Sequence, residues 1–466
     1  MHATFARGEK ITPLRRNLRL GLWDGITAMP LTVLSQPGNF VVAALLTTVF
    51  SLSTSTYGLV TSLPFWFNFL QVLLTPVLAK RLHARSMTIT SAFLQIFGWL
   101  VLLVALPFIP PGERPKTVAI FLAVFSLVAL GSAINGVSWN AWMQECIPVR
   151  LRGKYFGFRN RLLYLSQVAY MLAVSGLLAW LNGALLAYEL LFGAAIALRI
   201  ISVVAQHRMR TSTSARTPVA EPPWQVQVRT VWADTTLVRF IVFASVMGFA
   251  VNVVGPFYPI FMYEELNLSA AHTNMLLLLG VLAAAIAFPT WGHLLDRYGN
   301  VPVMIVSVIL WQASNLFMCV SDPGNIWILY LIMPAGGFFS AGYGIGLFGL
   351  LLKLTPSNAR TMGMALFVSL SSLAAALGPI TGGYLLNFAK SRGIAILDVY
   401  HIAFVVSPFV VMLSCLFLRR VHEANSAAVA EVMGAMRSVR TVASLFGLSF
   451  LVNQVFFRAV RKTGRT

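Results

Sequence analysis

The chain has 466 residues, of which 58% are hydrophobic and only 10% are charged, whereas about 25% of a soluble protein is charged. This excludes a soluble globular protein, because no core of this size could bury so much apolar surface, and it predicts an all-α membrane protein. The formal charge of +20 does not indicate nucleic acid as a partner. Its cations lie in short loops and in the two tails, where orientation bias and anionic lipid account for them.

Apolar stretches of spanning length recur along the chain, and a transmembrane helix needs about 20 such residues. We therefore predict about twelve transmembrane helices. The predicted spans are 22–48, 55–79, 87–108, 117–144, 156–181, 185–206, 236–262, 273–295, 301–320, 326–352, 361–388 and 399–418.

The loops between the predicted spans alternate along the chain between cation-rich loops and loops with few or no cations. Residues 80–86 carry three cations, whereas residues 182–188 carry no charge. Cationic loops stay on the cytoplasmic side, so we predict a multi-pass protein of the cytoplasmic (inner) membrane with both termini in the cytoplasm. One loop departs from this pattern, because Lys390 and Arg392 should lie outside with only Asp398 to offset them.

A cationic hinge joins the fourth span to the fifth, and it begins with a carboxylate at Glu145. Arg152 follows seven residues later, close enough for a charge-assisted pair across the hinge. Such a pair can also break, so we predict a gate. The corresponding pair in the second half is Asp296 with a cation near Arg297 or Arg360.

A segment rich in Ser, Thr and Pro separates the sixth span from the seventh and has the composition of a mobile connector. The two halves that it joins look like repeats, because T-P-V-L-A-K-R-L at 75–82 aligns with T-W-G-H-L-L-D-R at 290–297 when Pro76 is set on Gly292 and Arg81 on Arg297, an offset of 216 residues. Internal repeats are common in secondary transporters. We predict two pseudo-symmetric six-helix bundles at 1–206 and 233–420, a cytoplasmic linker at 207–232 and a cytoplasmic amphipathic tail at 421–466.

The tail contains an apolar stripe that indicates an amphipathic helix; its members are Val429, Val432, Met433, Met436 and Val439. Residues 442–457 are more apolar, and four cations follow them. Because this segment is short and its cations belong inside, we favour a helix lying on the membrane over a thirteenth span.

Two loop motifs carry a family resemblance. G-H-L-L-D-R-Y-G-N at 292–300 resembles the signature between the second and third helices of each half in the major facilitator superfamily, and E-C-I-P-V-R-L-R-G-K at 145–154 is similar to that superfamily's fourth-to-fifth loop. The resemblance covers roughly 20–420 and implies twelve helices in two halves. Lys80 stands where the first-half copy would have its acid. The sugar-porter signatures are absent, so no subfamily is assigned.

Ionisable residues inside spans are costly and are functional candidates by default. Asp24 lies in the first span and is our candidate coupling residue, binding either a proton or a sodium ion. The alternative is a helix-end carboxylate near Arg19 and the helix N-terminus, where negative charge is favoured. For Arg199 in the sixth span we favour a structural tie or snorkelling to the cytoplasm over substrate binding.

Two spans carry breaks at corresponding places, at Pro30 with residues 35–39 and at residues 255–259. Discontinuous helices mark binding sites in transporters, because their free backbone groups need protein or water beside them. We therefore predict a substrate cavity lined by amides and aromatics, which suit an uncharged or weakly charged organic solute. Its predicted residues are Gln36, Asn39, Asn135, Trp139, Asn140, Tyr164, Gln167, Asn252 and Tyr258.

No catalytic motif or metal-ligand spacing stands out, so we expect neither an enzyme nor a cofactor. We predict a monomeric secondary transporter of a small organic solute that works by alternating access, with proton coupling left open. A uniporter or an exporter of drugs or metabolites fits the same features. A transport-silent membrane sensor is the alternative from another class. Substrate, direction and coupling ion do not follow from the sequence.

Overall fold

The structure is a computed structural model that describes residues 13–79, 82–209, 223–356, 359–424 and 426–437. These residues are mainly helical, with no strand among them. Ten of their helices are long and apolar enough to cross a membrane, and they coincide with the third to twelfth predicted spans. The predicted all-α membrane fold is therefore confirmed.

The described residues divide into two compact units, one within Met1–Leu52 and Leu63–Val219 and the other within Ser53–Ser62 and Ala220–Thr466. The helices of the first half are α1 (Pro13–Leu34), α2 (Phe40–Ala44), α3 (Thr54–Ala79), α4 (Ala84–Ala105), α5 (Pro115–Cys146), α6 (Val149–Trp180) and α7 (Leu185–Arg208). In the first unit α1 packs on α6 and α7, and α4 packs on α5.

The second half begins with a short helix, α8 (Trp224–Ala233), most of which lies inside the predicted linker. It is followed by α9 (Thr235–Val254), α10 (Tyr258–Ile260), α11 (Ala270–Tyr298), α12 (Asn300–Leu316), α13 (Leu329–Leu354), α14 (Arg360–Ser391), α15 (Ile396–Arg419) and α16 (Val429–Arg437). Here α9 packs on α14 and α15, and α12 packs on α13. This pattern repeats that of the first unit.

The repeat extends to local irregularities. The first span ends in a π-helical turn at Leu45–Val49 and the seventh ends in one at Phe261–Glu265. Each turn is followed by a residue with positive φ, Ser51 at 50° and Asn267 at 54°. All of these pairs are offset by 216 residues, the offset of the aligned sequence motifs. The structure therefore confirms that the two halves are copies of one unit.

The first span is broken at only one of its two predicted places. Residues 35–39 interrupt it, and Asn39 starts α2 by accepting hydrogen bonds from the amides of Val41 and Val42. Pro30, in contrast, lies within a continuous α1, so the predicted break there is wrong. Proline removes the hydrogen bond to the carbonyl four residues before it. The hydroxyl of Ser166 in α6 donates to that carbonyl, Ile26 O, at 2.9 Å, and the helix continues.

Two predicted features of the ends fall partly outside the described residues. In the tail, α16 carries Val429, Val432 and Met433 of the predicted stripe, and Val432 lies fully buried in a cluster with residues of α11, α12 and α13, so this part of the stripe faces protein. The side chains of Met436 and Val439 lie outside the described residues. Residues 442–457 and part of the predicted linker lie outside the described residues.

Helices α11 and α13 approach each other closely where two glycines meet. A Cβ atom on Gly337 would overlap the carbonyl oxygen of Gly280, whereas a Cβ on Gly344 of the same helix would meet no atom within 4 Å. Overpacking of this kind costs about 1–3 kcal/mol. We expect Gly337→Ala to lower the thermal unfolding temperature in detergent by several degrees, and Gly344→Ala to leave it unchanged or raise it. Equal unfolding temperatures for the two variants would contradict this contact.

Candidate functional site

Helix α7 carries a polar face through an otherwise apolar span. Arg199, Ser202 and Gln206 are three and four residues apart, so they lie on one side of the helix. All three are buried, and Arg199 is 4% exposed. Buried polar groups need partners, and a buried guanidinium needs them most. This face therefore has to meet polar groups from neighbouring helices.

Asp24 of α1 supplies the main partner. It is 1% exposed and lies well inside α1, which begins at Pro13. One carboxylate oxygen, Oδ1, accepts from Ser202 Oγ at 2.7 Å and from Gln206 Nε2 at 2.8 Å. The other, Oδ2, accepts from Trp139 Nε1 of α5 at 2.8 Å. The alternative interpretation as a helix-end carboxylate near Arg19 is therefore wrong, because Asp24 is buried in mid-helix.

Arg159 of α6 completes the surroundings of the carboxylate. Its Nη2 lies 4.0 Å from Asp24 Oδ2, its Nε donates to Gly21 O at 3.3 Å, and its guanidinium lies 4.1 Å from the centre of the Trp139 ring. A cation over an indole face is favourable. Gly25 leaves the room for it, since a Cβ there would come within 2.8 Å of Arg159 Nη2.

Arg199 extends the network toward α4. It donates to Ser202 Oγ at 3.1 Å and to Asn135 Oδ1 at 3.2 Å. Asn135 in turn donates to Thr88 O at 2.9 Å. Arg199 is thus a buried structural tie, as one of our two interpretations held, and snorkelling to the cytoplasm is wrong. Together these bonds join α1, α4, α5, α6 and α7, and we call the residues the Asp24 network.

The chemistry of this network follows from its donors. An ionised carboxylate only accepts hydrogen bonds, and three donors surround Asp24. Adding a proton would remove the negative charge and turn one oxygen into a donor, which the Ser202 hydroxyl or the Gln206 amide oxygen could accept, whereas the indole N–H of Trp139 only donates. Sodium fits less well, because hard cations need oxygen ligands and the groups facing Asp24 are mostly N–H donors. With two guanidinium groups against one carboxylate, the network carries one net positive charge.

A second buried carboxylate lies at the end of the other half. Glu423 follows α15, and its Oε1 accepts from Asn300 Nδ2 at 2.8 Å and from Lys353 Nζ at 2.9 Å. Its Oε2 accepts from the amide of Val301 at 2.8 Å, at the N-terminus of α12. Asn300 is the last residue of the loop motif at 292–300. We call this group the Glu423 clasp.

Comparisons with known proteins match part of the chain to one family of transporters. Residues 240–460 match the profile of the Major Facilitator Superfamily. Among solved structures, a single-residue mutant of nucleoside transporter NupG has a TM-score of 0.67 at 15% identity, over 86% of this chain and 99% of that one. A bacterial homologue of the human lysosomal transporter Spinster has a TM-score of 0.66 at 14% identity, over 90% of this chain and 100% of the other. The second half of the chain therefore matches the major facilitator superfamily, and the chain as a whole has the fold of these solved transporters.

Curated relatives point to the same superfamily. Multidrug resistance protein MdtG of Escherichia fergusonii is 27% identical over 213 residues, which cover 44% of this chain and 50% of MdtG. Multi-drug resistance efflux pump PmrA of Streptococcus pneumoniae is 23% identical over 38% of this chain and 43% of PmrA. Quinolone resistance protein NorA of Staphylococcus aureus is 24% identical over 31% of this chain and 36% of NorA. The chain thus spans half or less of the length of the curated relatives that it matches.

The structure places the predicted cavity residues of the first unit in several different environments. Asn135 and Trp139 belong to the Asp24 network. Asn39 caps α2, and its Nδ2 donates to Val33 O at 2.9 Å, so its side chain is already occupied. Gln36 and Asn140 are exposed, while the two from α6, Tyr164 and Gln167, are half-buried. In the second unit, Asn252 donates to Gly248 O at 2.7 Å and the ring of Tyr258 stacks on Phe404.

The predicted gate residues lie at the helix ends of their units. Glu145 and Asp296 are exposed, and neither forms an ion pair within the described part of the chain. Arg297 lies over the ring of Tyr298 at 5.2 Å. The side chains of Arg152 and Arg360 lie outside the described residues, so the two gate pairs stay predictions.

The sequence alone indicates Asp24 but not all of the buried polar residues that surround it. Ser202 and Gln206 have a signal that could have found them, because polar residues three and seven positions after Arg199 form a stripe in an apolar span. Arg159 lies among the hinge cations, and nothing local distinguishes it from the others. Glu423, in the second unit, lies after the last span, where no pattern of spacing indicates burial.

Proposed function

We propose that this chain is a secondary active transporter that moves a small organic solute across the cytoplasmic membrane by alternating access. The match of residues 240–460 to the superfamily profile supports the class of activity. The observation that carries the proposal is the Asp24 network, in which a buried carboxylate lies at the centre of hydrogen bonds that together join five helices of one unit. A titratable group at the centre of hydrogen bonds between several helices is suited to convert a binding event into helix movement.

Protons are the coupling ions in this proposal. Protonation of Asp24 removes one acceptor function and the negative charge that offsets Arg159 and Arg199. The hydrogen bonds from Trp139, Ser202 and Gln206 then lose their ionised acceptor and rearrange, which weakens the attachment of α1 to α5 and α7. A proton that binds at one stage of the cycle and leaves at another would make this change reversible.

Export is the direction that the curated relatives favour. MdtG and NorA are named for resistance to drugs and quinolones, and PmrA is named an efflux pump. We propose an uncharged or weakly charged organic solute as the substrate, with the termini in the cytoplasm and a monomer as the working unit. A transport-silent sensor has the same helices but would move no solute, and this difference decides the test.

The test is transport by the purified protein in liposomes. A panel that includes quinolones and nucleosides is first screened for compounds that raise the thermal unfolding temperature of the protein in detergent. Each hit is then assayed for saturable exchange across the liposome membrane, with protein-free liposomes as the control. We expect at least one stabilising compound to be exchanged. Stabilisation by several compounds with no saturable exchange of any of them would instead support a sensor.

The gate is proposed to close the cytoplasmic end of each unit through the pairs Glu145 with Arg152 and Asp296 with Arg297 or Arg360. Cys146 provides a native reporter, because it is buried and adjoins Glu145. We expect Glu145→Gln to weaken the closed state and to speed the labelling of Cys146 by a thiol reagent.

Two controls accompany this labelling experiment. Cys415 is also buried but belongs to the other unit, and its labelling rate should not change. Glu113→Gln alters an exposed acid before α5 and should leave Cys146 unaffected. If Cys146 reacts at the same rate in Glu145→Gln and in the parent protein, Glu145 is not part of the gate.

A further inference from the structure

An apolar groove runs along one side of the second unit, between α14 and α15. Its volume is about 490 Å³. The floor is formed by buried residues of the seventh span, among them Ala250, Val254 and Phe257. The rims are formed by side chains that are about half exposed, including Phe388 of α14 and Ile402 of α15. Exposed apolar rims on a membrane-spanning helix pair face lipid.

The groove offers almost nothing to a polar ligand. Two of its lining hydroxyls already donate to carbonyls of their own unit, Thr381 to Leu377 O and Ser407 to Ala250 O, at 2.9 Å and 2.8 Å. The remaining lining is chiefly Ala, Val, Leu, Ile and Phe side chains, with Tyr400 as a third hydroxyl, which has no hydrogen-bond partner among the described residues. A hydrocarbon chain suits this lining, because most polar groups would lose their water without gaining a partner.

The length of the groove matches one leaflet of a bilayer. On α15 it extends from Val399 to Val410, which is about 16 Å at 1.5 Å per residue. One leaflet contributes about 15 Å, half of a hydrocarbon core that is roughly 30 Å thick. The groove begins beside the α14–α15 loop and ends near the middle of the span. A lipid acyl chain entering from that loop would fill it.

Two cations lie at the mouth of the groove, together with the carboxylates Glu264 and Glu265 and with Asp398 in the first turn of α15. Lys390 and Arg392 lie where α14 meets the α14–α15 loop, and both are exposed. The guanidinium of Arg392 lies 5.2 Å from the ring centre of Phe388, a rim residue, and no described carboxylate forms an ion pair with it. Lys390 lies 3.7 Å from Glu264, but both groups are exposed enough for the pair to be weak. Lys390 and Arg392 are the two cations of the loop that departs from the predicted charge pattern, because that loop should lie outside.

We infer that this groove is a binding site for an anionic phospholipid. One acyl chain occupies the groove, and the phosphate-bearing head group binds Arg392 and Lys390. Arginine suits a phosphate because its planar guanidinium can make two parallel hydrogen bonds. The site would tether α14 to α15, and it is independent of the proposed transport.

The test is native mass spectrometry of the full chain released from membranes with equal amounts of phosphatidylglycerol and phosphatidylcholine. We expect the parent protein to retain phosphatidylglycerol in severalfold excess. The double substitution Lys390→Gln with Arg392→Gln should bring the ratio of the two lipids close to one. The matched control is Arg114→Gln with Lys116→Gln, another exposed cation pair beside a helix start, which should keep the excess.

A second variant tests the groove itself. Ala403 lines the groove and is partly exposed, so Ala403→Trp can fill it without disturbing the buried core. We expect this variant to fold, as shown by an unchanged thermal unfolding temperature in detergent, and to lose the retained lipid of both classes. Retention of phosphatidylglycerol by both the loop variant and Ala403→Trp would overturn the proposal. Loss only in the loop variant would also overturn it, because the acyl chain would then lie elsewhere.

Discussion

Asp24→Asn should abolish accumulation of the solute against a gradient while preserving exchange of the solute down its gradient. Asparagine has nearly the shape of aspartate, but it cannot bind and release a proton. It also places an NH₂ donor against the donors that the carboxylate accepts from, Trp139 on one oxygen and Ser202 with Gln206 on the other. A carrier with this substitution would still alternate but would no longer use the proton gradient.

Loss of the charge also has a cost in stability, which the experiment has to separate from loss of coupling. Asp24 is the carboxylate that offsets Arg159 and Arg199 in the network, and removing one partner of a buried pair typically costs about 3–5 kcal/mol. We therefore expect a lower thermal unfolding temperature for Asp24→Asn. Preserved exchange would show that the variant is nevertheless folded.

Two further variants distinguish a proton site from a structural network. Trp139→Phe removes one hydrogen bond to Asp24 but keeps the carboxylate and an aromatic ring beneath Arg159, so it should retain gradient-driven accumulation at a reduced rate. Asp398→Asn removes an exposed carboxylate from the start of α15 and should have no effect. Full accumulation by Asp24→Asn would mean that coupling lies elsewhere or that the protein is a uniporter.

The fold was largely predictable because its main determinant is local. A bilayer imposes a minimum length of apolar sequence on each span, so hydropathy alone located the third to twelfth spans, and the aligned motifs at 75–82 and 290–297 anticipated the repeat at its offset of 216 residues. Pro30 was misjudged for the opposite reason. The effect of Pro30 on α1 depends on Ser166, which lies on another helix. Ser166 donates a hydrogen bond to the carbonyl of Ile26, which lies 140 positions earlier in the chain.

Within the candidate site, Asp24 was the one residue that the sequence indicated as a coupling residue. Asp24 stands out because a carboxylate in a span demands an explanation, but its hydrogen-bond partners lie 115 to 182 positions away. Contacts at such separations depend on how the helices pack, and no local sequence pattern predicts that packing. The stripe of Arg199, Ser202 and Gln206 is the exception, since its period alone indicates a polar helix face.

The Glu423 clasp should prove to be a main source of stability in the second unit. Glu423→Ala would leave the buried side chain of Asn300 and the amide of Val301 without their acceptor. Each such group costs about 1–3 kcal/mol when buried and unpaired. The contribution of Lys353 is smaller, because its side chain is 57% exposed and is screened by water.

The expected loss for Glu423→Ala is about 2–4 kcal/mol, or roughly 5–10 °C in the thermal unfolding temperature. A thiol-reactive dye that reports exposure of the buried Cys415 measures this in detergent. Glu431→Ala removes an exposed carboxylate of α16 and is the matched control. A variant with Glu423→Ala that unfolds at the same temperature as this control would show that the clasp contributes no stability.

The clasp also predicts a dependence on pH. Burial alone would raise the pKa of Glu423, but hydrogen bonds from Lys353, Val301 and Asn300 and the charge of Lys353 outweigh it and hold the pKa below its ordinary value of 4.5. A carboxyl group whose pKa is lowered by folding stabilises the protein above its unfolded pKa, and this stability is lost as the pH falls through the folded pKa. The unfolding temperature of the parent protein should therefore fall below about pH 4.5, and Glu423→Ala should remove part of that decrease. An identical acid dependence in the two proteins would place the titrating group elsewhere.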